Sequence, residues 1–391
     1  MIRTARAVRL AIAITIVLGA CTGDEPTASD DKPDCTWVIG TMGELSGAGS
    51  DESVRAFRAI ELAIETATVR SNTACDIELA SEDTTGDADR AGARARALVG
   101  NDRLIACVCP YRSVEALVGG TVFTSHGVLM ASTGTSNEIA DQGFDTWFRV
   151  LSNESVQAEA TGEYIRGVLE PKAVAVIDDG SNQGVALADG VASNLGGLAS
   201  ERASLSTTDA GSFAEKLSDT PPEVVYFAGA GGAAGQVATA LRDADVDSLV
   251  LVAGAEPDSV PTAADLGSVA DLLVICPCVD PSSIREGSDL VDAYTQAYDE
   301  LPGMFATEVF DITTIVVNAL EGLSSEDPIE EVRARVVRHF DTTDGSRGIS
   351  GRFSWDASGE REVEALDSVW VYEWNPGRAT LEPIGPVAAL L

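Results

Sequence analysis

The sequence has little of what acid–base or metal catalysis requires. Its 391 residues include two histidines, His126 and His339, and neither His-Glu-x-x-His nor Gly-x-Ser-x-Gly occurs. His126 follows an apolar helical stretch, where we expect it to interact with the helix C-terminus. Because Ser-His-Asp triads assemble in space, an exported hydrolase stays open as an alternative, without a positive signal. We predict no catalytic residue.

Basic residues are also scarce. The chain has 26 Lys and Arg against 62 Asp and Glu, a net charge of −36. Such a surface repels nucleic acid and anionic lipid, so we predict no nucleic-acid partner. Beyond Leu18, no apolar run is long enough to cross a bilayer.

The first 34 residues have the pattern of an export signal and a tether. Arg3, Arg6 and Arg9 precede an apolar run, which ends in Leu18-Gly19-Ala20-Cys21 and resembles a bacterial lipobox. We therefore predict a lipoprotein signal peptide at residues 1–20, with lipidated Cys21 holding the protein on the extracytoplasmic face of the membrane. An uncleaved membrane anchor, or a plain secretory signal with Cys21 incidental, is the alternative. Residues 21–34 are polar and acidic, as in a flexible tether.

Six further cysteines, an even number in an exported chain, favour disulfides. Cys35 and Cys75 each precede an apolar strand, and neighbouring parallel strands would bring them together, so we predict that pair. The other four form two Cys-x-Cys pairs on predicted strands: Cys107, Cys109, Cys276 and Cys278. These pairs either bridge to each other or stay reduced. A four-thiolate zinc site is a third option, disfavoured by the one-residue spacer; we predict no metal.

Strand and helix patterns alternate along the chain, which predicts an α/β fold of two parallel sheets with helices on both faces. About 360 ordered residues exceed what one core normally supports, so two lobes are expected. The predicted strands are Trp37–Thr41, Ile77–Ser81, Leu104–Cys109, Val128–Ala131, Ala173–Ile177, Val224–Ala228, Leu249–Ala253 and Leu272–Cys276, with more in the tail at Phe353–Asp356 and Val369–Trp374. Gly229-x-Gly231-x-x-Ala234 lacks the third glycine of a dinucleotide-binding loop, and no cofactor is predicted.

The stretch from Leu104 to Ile139 suggests a ligand site. Ser113 and the polar run Ser132–Asn137 each follow a predicted strand, where ligands bind in open parallel sheets. Helix N-termini there offer free N–H groups to anions, so Ser113 and Ser136 are suited to hold a carboxylate. The alternative is that both serines are ordinary helix N-caps.

Three stretches of the chain resemble motifs of a known family. Met42–Gly47, Gly127–Asn137 and Trp355-Asp356-x-x-Gly359 match, in order and spacing, motifs of type I periplasmic binding proteins for leucine, isoleucine and valine. These proteins capture substrate for branched-chain amino acid ABC importers. The resemblance runs from about Trp37 to Gly377.

The resemblance implies particular site residues. The family's carboxylate-binding serine falls on Ser113 and its hydroxyl ligand on Ser136, beside Thr135. The acidic residue that holds the ligand ammonium matches Glu256, in Gly254-Ala255-Glu256. Gln183 and Ala230 stand where the family usually has aromatic residues, which implies a roomier or more polar pocket. Tyr111 and Glu44 are further candidates to line it.

The family fold implies two Rossmann-like lobes joined by a multi-strand hinge. We expect residues 35–150 and 277–356 in the first lobe, and 151–276 and 357–391 in the second. The expected partners are a small-molecule ligand, with an amino acid favoured, and a membrane ABC permease. A ligand-sensing receptor with the same fold is the alternative from another class, although no signalling domain is evident in the sequence.

Overall fold

A computed structural model describes residues 35–47, 50–71, 73–108, 112–254, 266 and 271–391. Its first sheet has five parallel strands in the order β2-β1-β3-β4-β5. They are β1 Thr36–Gly43, β2 Asp76–Asp83, β3 Leu104–Val108, β4 Leu129–Ser132 and β5 Trp147–Arg149. The order 2-1-3-4-5 places β1 and β3 side by side in the sheet, so that the loops after β1, β3 and β4 share one edge.

The second sheet has the order β14-β13-β10-β9-β8-β6-β7. Its strands from β7 to β10 are parallel, and β13 and β14 are added antiparallel at one edge. They are β6 Val174–Asp178, β7 Ala199–Ser204, β8 Val224–Ala228, β9 Leu249–Ala253, β10 Leu272–Cys276, β13 Trp370–Asn375 and β14 Thr380–Pro386. A short separate pair is formed by β11 Ser346–Arg347 and β12 Arg352–Phe353.

Helices cover both sheets. The first seven are α1 Ser50–Ser71, α2 Ala88–Val99, α3 Ser113–Ser125, α4 Glu154–Tyr164, α5 Asn182–Leu195, α6 Ala210–Ser218 and α7 Gly231–Asp243. Later helices span Ser288–Tyr298, Ala306–Asn318, Ile329–Asp341, Ala365–Ser368 and Val387–Leu390. Asn137–Gln142 is a 3-10 helix and Ile165–Leu169 a π-helical turn continuing α4, with further 3-10 turns at Gly196–Leu198, Pro281–Ser283 and Arg285–Gly287. None of the described helices is long and apolar enough to span a membrane.

Local sequence explains these elements. The strands β3, β8 and β10 are apolar along their whole length, and β4 and β6 are apolar up to a final Ser132 and Asp178. All five strands are buried throughout, as expected for parallel strands covered on both faces. Polar N-caps start several helices: Asp87, Asn153, Ser181 and Asp209 each accept a backbone N–H of the first turn. His126 is the C-cap of α3, with Nδ1 2.8 Å from the Val122 carbonyl oxygen, which confirms its predicted place.

Three segments of the described chain connect the sheets. The first, after β5, leads to α4, and the second leaves β10 for the later helices. The third, residues 354–364, leads from β12 to the helix before β13. Hydrogen bonds join them to each other and to the elements around them: Arg361 donates to the Val150 carbonyl, and Tyr372 Oη donates to the Cys278 carbonyl at 2.8 Å. The predicted α/β fold with two lobes and a multi-strand hinge is confirmed; the exact lobe boundaries stay a prediction.

The disulfides agree with one prediction and correct another. Cys35 is bonded to Cys75, as predicted from the adjacent starts of β1 and β2. Cys276 is bonded to Cys278 and not to the other Cys-x-Cys pair, because β3 and β10 belong to different sheets. Cys278 lies beyond the end of β10, and the Cα atoms are 5.2 Å apart, closer than the ~6.6 Å of alternate strand residues. Cys107 is also disulfide-bonded, and Cys109 lies outside the described residues.

Some elements differ from the sequence-based expectation. The strand β7 was not predicted, because its sequence Ala-Ser-Glu-Arg-Ala-Ser is that of a half-exposed edge strand. The helix Ile329–Asp341 and the proline-containing β14 were also missed. Most of the glycine-rich stretch after β8 is helical, because α7 already begins at Gly231.

Candidate ligand-binding cleft

The first wall of the candidate cleft is a loop folded over the N-terminus of α3. Ser113, the first residue of α3, accepts the N–H groups of Thr135 and Ser136 on its Oγ, each at 3.0 Å. A Cβ at Gly134 would lie 2.9 Å from Ser113 Cα, so this close approach requires glycine. The Ser113 hydroxyl oxygen and the backbone of this loop therefore meet at the N-terminus of α3. A donor at a helix N-terminus suits an anionic ligand group.

A buried arginine holds this loop from behind. Arg149, at the end of β5, is fully buried and donates from its guanidinium to the carbonyls of Gly134 and Ser136. Glu360 balances its charge through a two-point contact, Nε–Oε2 at 2.8 Å and Nη2–Oε1 at 2.6 Å. Asn153 donates to the same carboxylate at 3.3 Å. The loop is therefore fixed on both sides, by Ser113 and by Arg149.

The second wall lies at the carboxyl ends of β6 and β8. The Asp179 carboxylate accepts the Ala230 N–H at 2.9 Å and the Ser181 hydroxyl at 2.6 Å, so it joins the two loops. Gly229 has a φ of +147°, and a Cβ there would lie 2.3 Å from Asp179 Cγ. Ser181 caps α5, which places Gln183 in the first helical turn. The loop arrangement thus directs Gln183 toward the other lobe.

The two walls meet at Thr135. Gln183 Nε2 donates to Thr135 Oγ1 at 3.0 Å, which joins a helix of the second sheet to a loop of the first. The Glu154 N–H donates to the Thr135 carbonyl at 3.0 Å, and Asn137 Nδ2 donates to Ser155 Oγ at 3.0 Å. Thr135 itself is completely buried. Residues from both lobes therefore converge on one polar point.

A buried acid lies beside this point. Glu154, in the first turn of α4, is 4% exposed, and its Oε1 has no hydrogen-bond partner in the described part of the chain. Burial raises the pKa of Glu154 to about 7, although the N–H of Asn137 and the charge of Arg149 act in the opposite direction. At neutral pH this carboxyl group is a mixture of acid and carboxylate.

The predicted site residues are distributed as follows. The structure brings together Ser113, Thr135, Ser136 and Gln183, and Asp179 holds Ala230 on the same second-lobe wall. Ser136 Oγ accepts the Glu138 N–H and so caps the 3-10 helix that follows. Glu44 lies further along the first wall, beside Gly47 and Gly86. Tyr111, Glu256 and Cys21 lie outside the described residues.

Sequence reasoning missed Arg149, Glu154 and Glu360. Arg149 follows two aromatic residues in β5, a strand that ends at the hinge. A charged residue at the end of an otherwise apolar strand was the one sequence feature that could have pointed to it. Its partner Glu360 is 211 positions away, so no local pattern joins them. Among the described residues, no group of three or more His, Cys, Asp or Glu side chains could hold a metal ion.

Two sheets whose carboxyl edges present converging polar loops, joined by several connecting segments, define a two-lobed ligand-binding protein. A model of the periplasmic binding protein family matches residues 36–379, and the chain belongs to that family. The family consists of solute-binding proteins that act outside the cytoplasm and not of enzymes.

Similar proteins agree with this assignment. An amino acid binding protein of Pseudomonas aeruginosa is 25% identical over 346 residues, which cover 86% of this chain and 90% of that protein. The Leu/Ile/Val-binding protein homolog 2 of Brucella abortus is 22% identical over 348 residues, covering 87% and 91%.

Solved structures show the same fold. The branched-chain amino acid binding protein LivJ of Streptococcus pneumoniae, in complex with isoleucine, has a TM-score of 0.77 at 19% identity, covering 90% of this chain and all of that one. A solute-binding protein of R. palustris in complex with benzoate has a TM-score of 0.73 at 14% identity, covering 90% and 96%.

Proposed function

We propose that this protein captures an amino acid, or a similar small polar solute, between its two lobes. The observation that carries the proposal is the convergence of Ser113, Thr135 and Gln183, from both lobes, on one buried polar point. Several relatives similar over most of the chain are named for binding amino acids or Leu/Ile/Val, which supports this class of ligand.

The proposed chemistry treats the ligand as a zwitterion. The hydroxyls of Ser113 and Thr135, with the amide of Gln183, are suited to donate to its carboxylate, and Glu256 is proposed to hold its ammonium. Closure of the lobes removes water from these charge-assisted bonds and strengthens them. Gln183 and Ala230, in place of aromatic residues, favour a ligand side chain that is larger or more polar than that of leucine.

A calorimetric screen of the twenty amino acids tests this proposal, with benzoate added as a carboxylate that has no ammonium. We expect saturable binding of at least one amino acid, weakened by Ser113→Ala and abolished by Glu256→Ala. Ser125→Ala, at the exposed far end of the same helix, is the matched control. If benzoate binds and no amino acid does, the ligand class is a simple carboxylate and not a zwitterion.

We also propose that lipid at Cys21 holds the protein on the extracytoplasmic surface of the cell membrane, where it delivers ligand to an ABC permease. The lipobox-like Leu18-Gly19-Ala20-Cys21 supports the anchor, and the family membership supports the transporter. Labelling with radioactive palmitate should mark the wild type and not Cys21→Ala. Loss of uptake on deletion of the gene, with permease and ATPase genes adjacent, would distinguish transport from sensing.

A further inference from the structure

The loop at residues 134–136, which forms the first wall of the candidate cleft, is held in its conformation by hydrogen bonds to its neighbours. Its amides at Thr135 and Ser136 are directed at Ser113, while its carbonyls at Gly134 and Ser136 are directed at Arg149. A short loop cannot turn one set of groups without turning the other, since each peptide unit is planar. Displacing Arg149 would therefore reorient the amides that hold the Ser113 hydroxyl.

Arginine has the geometry that this place requires. Its planar guanidinium presents several N–H donors in fixed directions, and here they reach two carbonyls and one carboxylate at once. The guanidinium also lies over the Trp147 ring, 4.8 Å from its centroid. Lysine would keep the charge but could not reproduce this set of bonds.

The carboxylate that orients Arg149 comes from a segment between the lobes. Residues 354–364 lead from β12, on the side of the first sheet, toward β13 of the second. In this segment the Gly359 carbonyl accepts the Arg149 N–H at 2.8 Å, and Trp355 Nε1 donates to the Arg149 carbonyl at 2.7 Å. Glu360 also accepts from Asn153, which caps α4 at the first connection. The ion pair thus joins two of the three connecting segments to the ligand loop.

We propose that Arg149 is a positioning residue for ligand capture, with Glu360 as the group that orients it. The expected effect of Arg149 on affinity rests on the proposed function, whereas its expected effect on the loop does not. The pair keeps the loop at residues 134–136 in the conformation that presents the hydroxyls of Ser113 and Thr135. It also makes that conformation depend on how the connecting segments are arranged, which is what changes when lobes open and close.

Hydrogen exchange on the full protein without ligand tests the inference directly. In Glu360→Gln, the glutamine N–H₂ faces a guanidinium that can only donate, so we expect the Thr135 and Ser136 amides to exchange at least about tenfold faster. Arg149→Lys should do the same, and Glu360→Asp, which keeps the charge, should restore part of the protection. Glu362→Gln removes an exposed carboxylate two positions away and serves as the control.

Affinity for whichever amino acid the calorimetric screen identifies is the second measurement. We expect Glu360→Gln to weaken binding about tenfold, mainly through faster dissociation, with the exchange of β1 and β3 amides unchanged. Unchanged exchange at residues 135 and 136 in both Glu360→Gln and Arg149→Lys would overturn the inference, whatever the ligand proves to be. Uniformly faster exchange throughout the first sheet would overturn it too, since the pair would then serve general stability. If no amino acid binds, the proposed function fails while the exchange experiment still decides the role of Arg149.

Discussion

Replacing Glu308 by glutamine should change how the stability of this protein depends on pH. Glu308 is 1% exposed, its Oε1 accepts the Val279 N–H at 2.7 Å, and its Oε2 has no hydrogen-bond partner within the described chain. Burial raises the pKa of Glu308 from 4.5 to about 8, and the nearby carboxylate of Asp311 adds to this. Arg361 acts in the opposite direction, and burial lowers its own pKa to about 10.

The sign follows from proton uptake. Between pH 4.5 and about 8, folded Glu308 keeps a proton that the unfolded chain has released, so the folded state loses relative stability as pH rises. The slope is about 1.4 kcal/mol for each pH unit, which sums to roughly 5 kcal/mol across the whole interval. Glutamine mimics the protonated acid and does not titrate. Glu308→Gln should therefore resemble the wild type near pH 4.5 and exceed its stability increasingly toward pH 8.

Urea unfolding at pH 5, 6, 7 and 8 measures the effect through the free energy of unfolding at constant m-value. Glu321→Gln is the matched control, because it removes an exposed carboxylate just past the end of the same helix, Ala306–Asn318. Asp311, on the same helix, and Tyr372, on β13, lie near Glu308, and burial raises the pKa of both. The difference between the two stability curves, and not the wild-type curve alone, is therefore diagnostic. Parallel stability curves for Glu308→Gln and the wild type would refute the reasoning.

Three further changes have defined outcomes. Glu154→Gln should stabilise the protein above pH 7 by up to about 3 kcal/mol and leave it unchanged below pH 4.5, as measured by urea unfolding, since the pKa of Glu154 is raised to about 7. Gly134→Ala should cost about 1–3 kcal/mol and weaken ligand binding, because its Cβ would lie 2.9 Å from Ser113 Cα. The Cys35→Ser/Cys75→Ser double variant should lose about 4 kcal/mol in denaturant unfolding, given the 40-residue separation that the disulfide closes.

Each of these has a contradicting result. Equal pH dependence of Glu154→Gln and the wild type would mean that the pKa of Glu154 is not raised in the folded protein. Wild-type stability of Gly134→Ala would show that the loop does not need its close approach to α3. Gly197→Ala is the control, because the added Cβ there has nothing within 4 Å and, as at Gly134, the backbone is not in the left-handed region. If the double cysteine variant is as stable as the wild type, the disulfide between Cys35 and Cys75 does not stabilise the folded protein.

The fold was largely predictable, since apolar runs such as those of β3, β8 and β10 are short, buried and bounded by polar loops. Elements with weaker patterns were not, and β7 is the example: it is a half-exposed strand at the edge of the second sheet whose pairing with β6 comes from tertiary context. The pairing of Cys35 with Cys75 followed from strand order alone, whereas that of Cys276 with Cys278 depended on where the chain leaves β10.

The arrangement of the candidate site was predictable in outline, whereas the contacts that hold it in place were not. Ser113, Thr135 and Ser136 follow strands and so had to share one edge of the first sheet. The contact between Gln183 and Thr135 depends on how two lobes approach each other, which no local pattern encodes. The same holds for the ion pair of Arg149 and Glu360. The two residues are far apart in sequence, so three-dimensional packing determines that the buried charge of Arg149 meets this partner.

One calorimetric experiment tests most directly whether a ligand is held between the lobes. The amino acid that binds the wild type is titrated into Ser113→Ala, which alters the first lobe, and into Gln183→Ala, which alters the second. We expect both variants to weaken binding of the same ligand by about tenfold or more, the loss of one to two hydrogen bonds to a charged group. Absence of binding to the wild type by all twenty amino acids, or wild-type affinity in both variants, would contradict a shared site between the lobes.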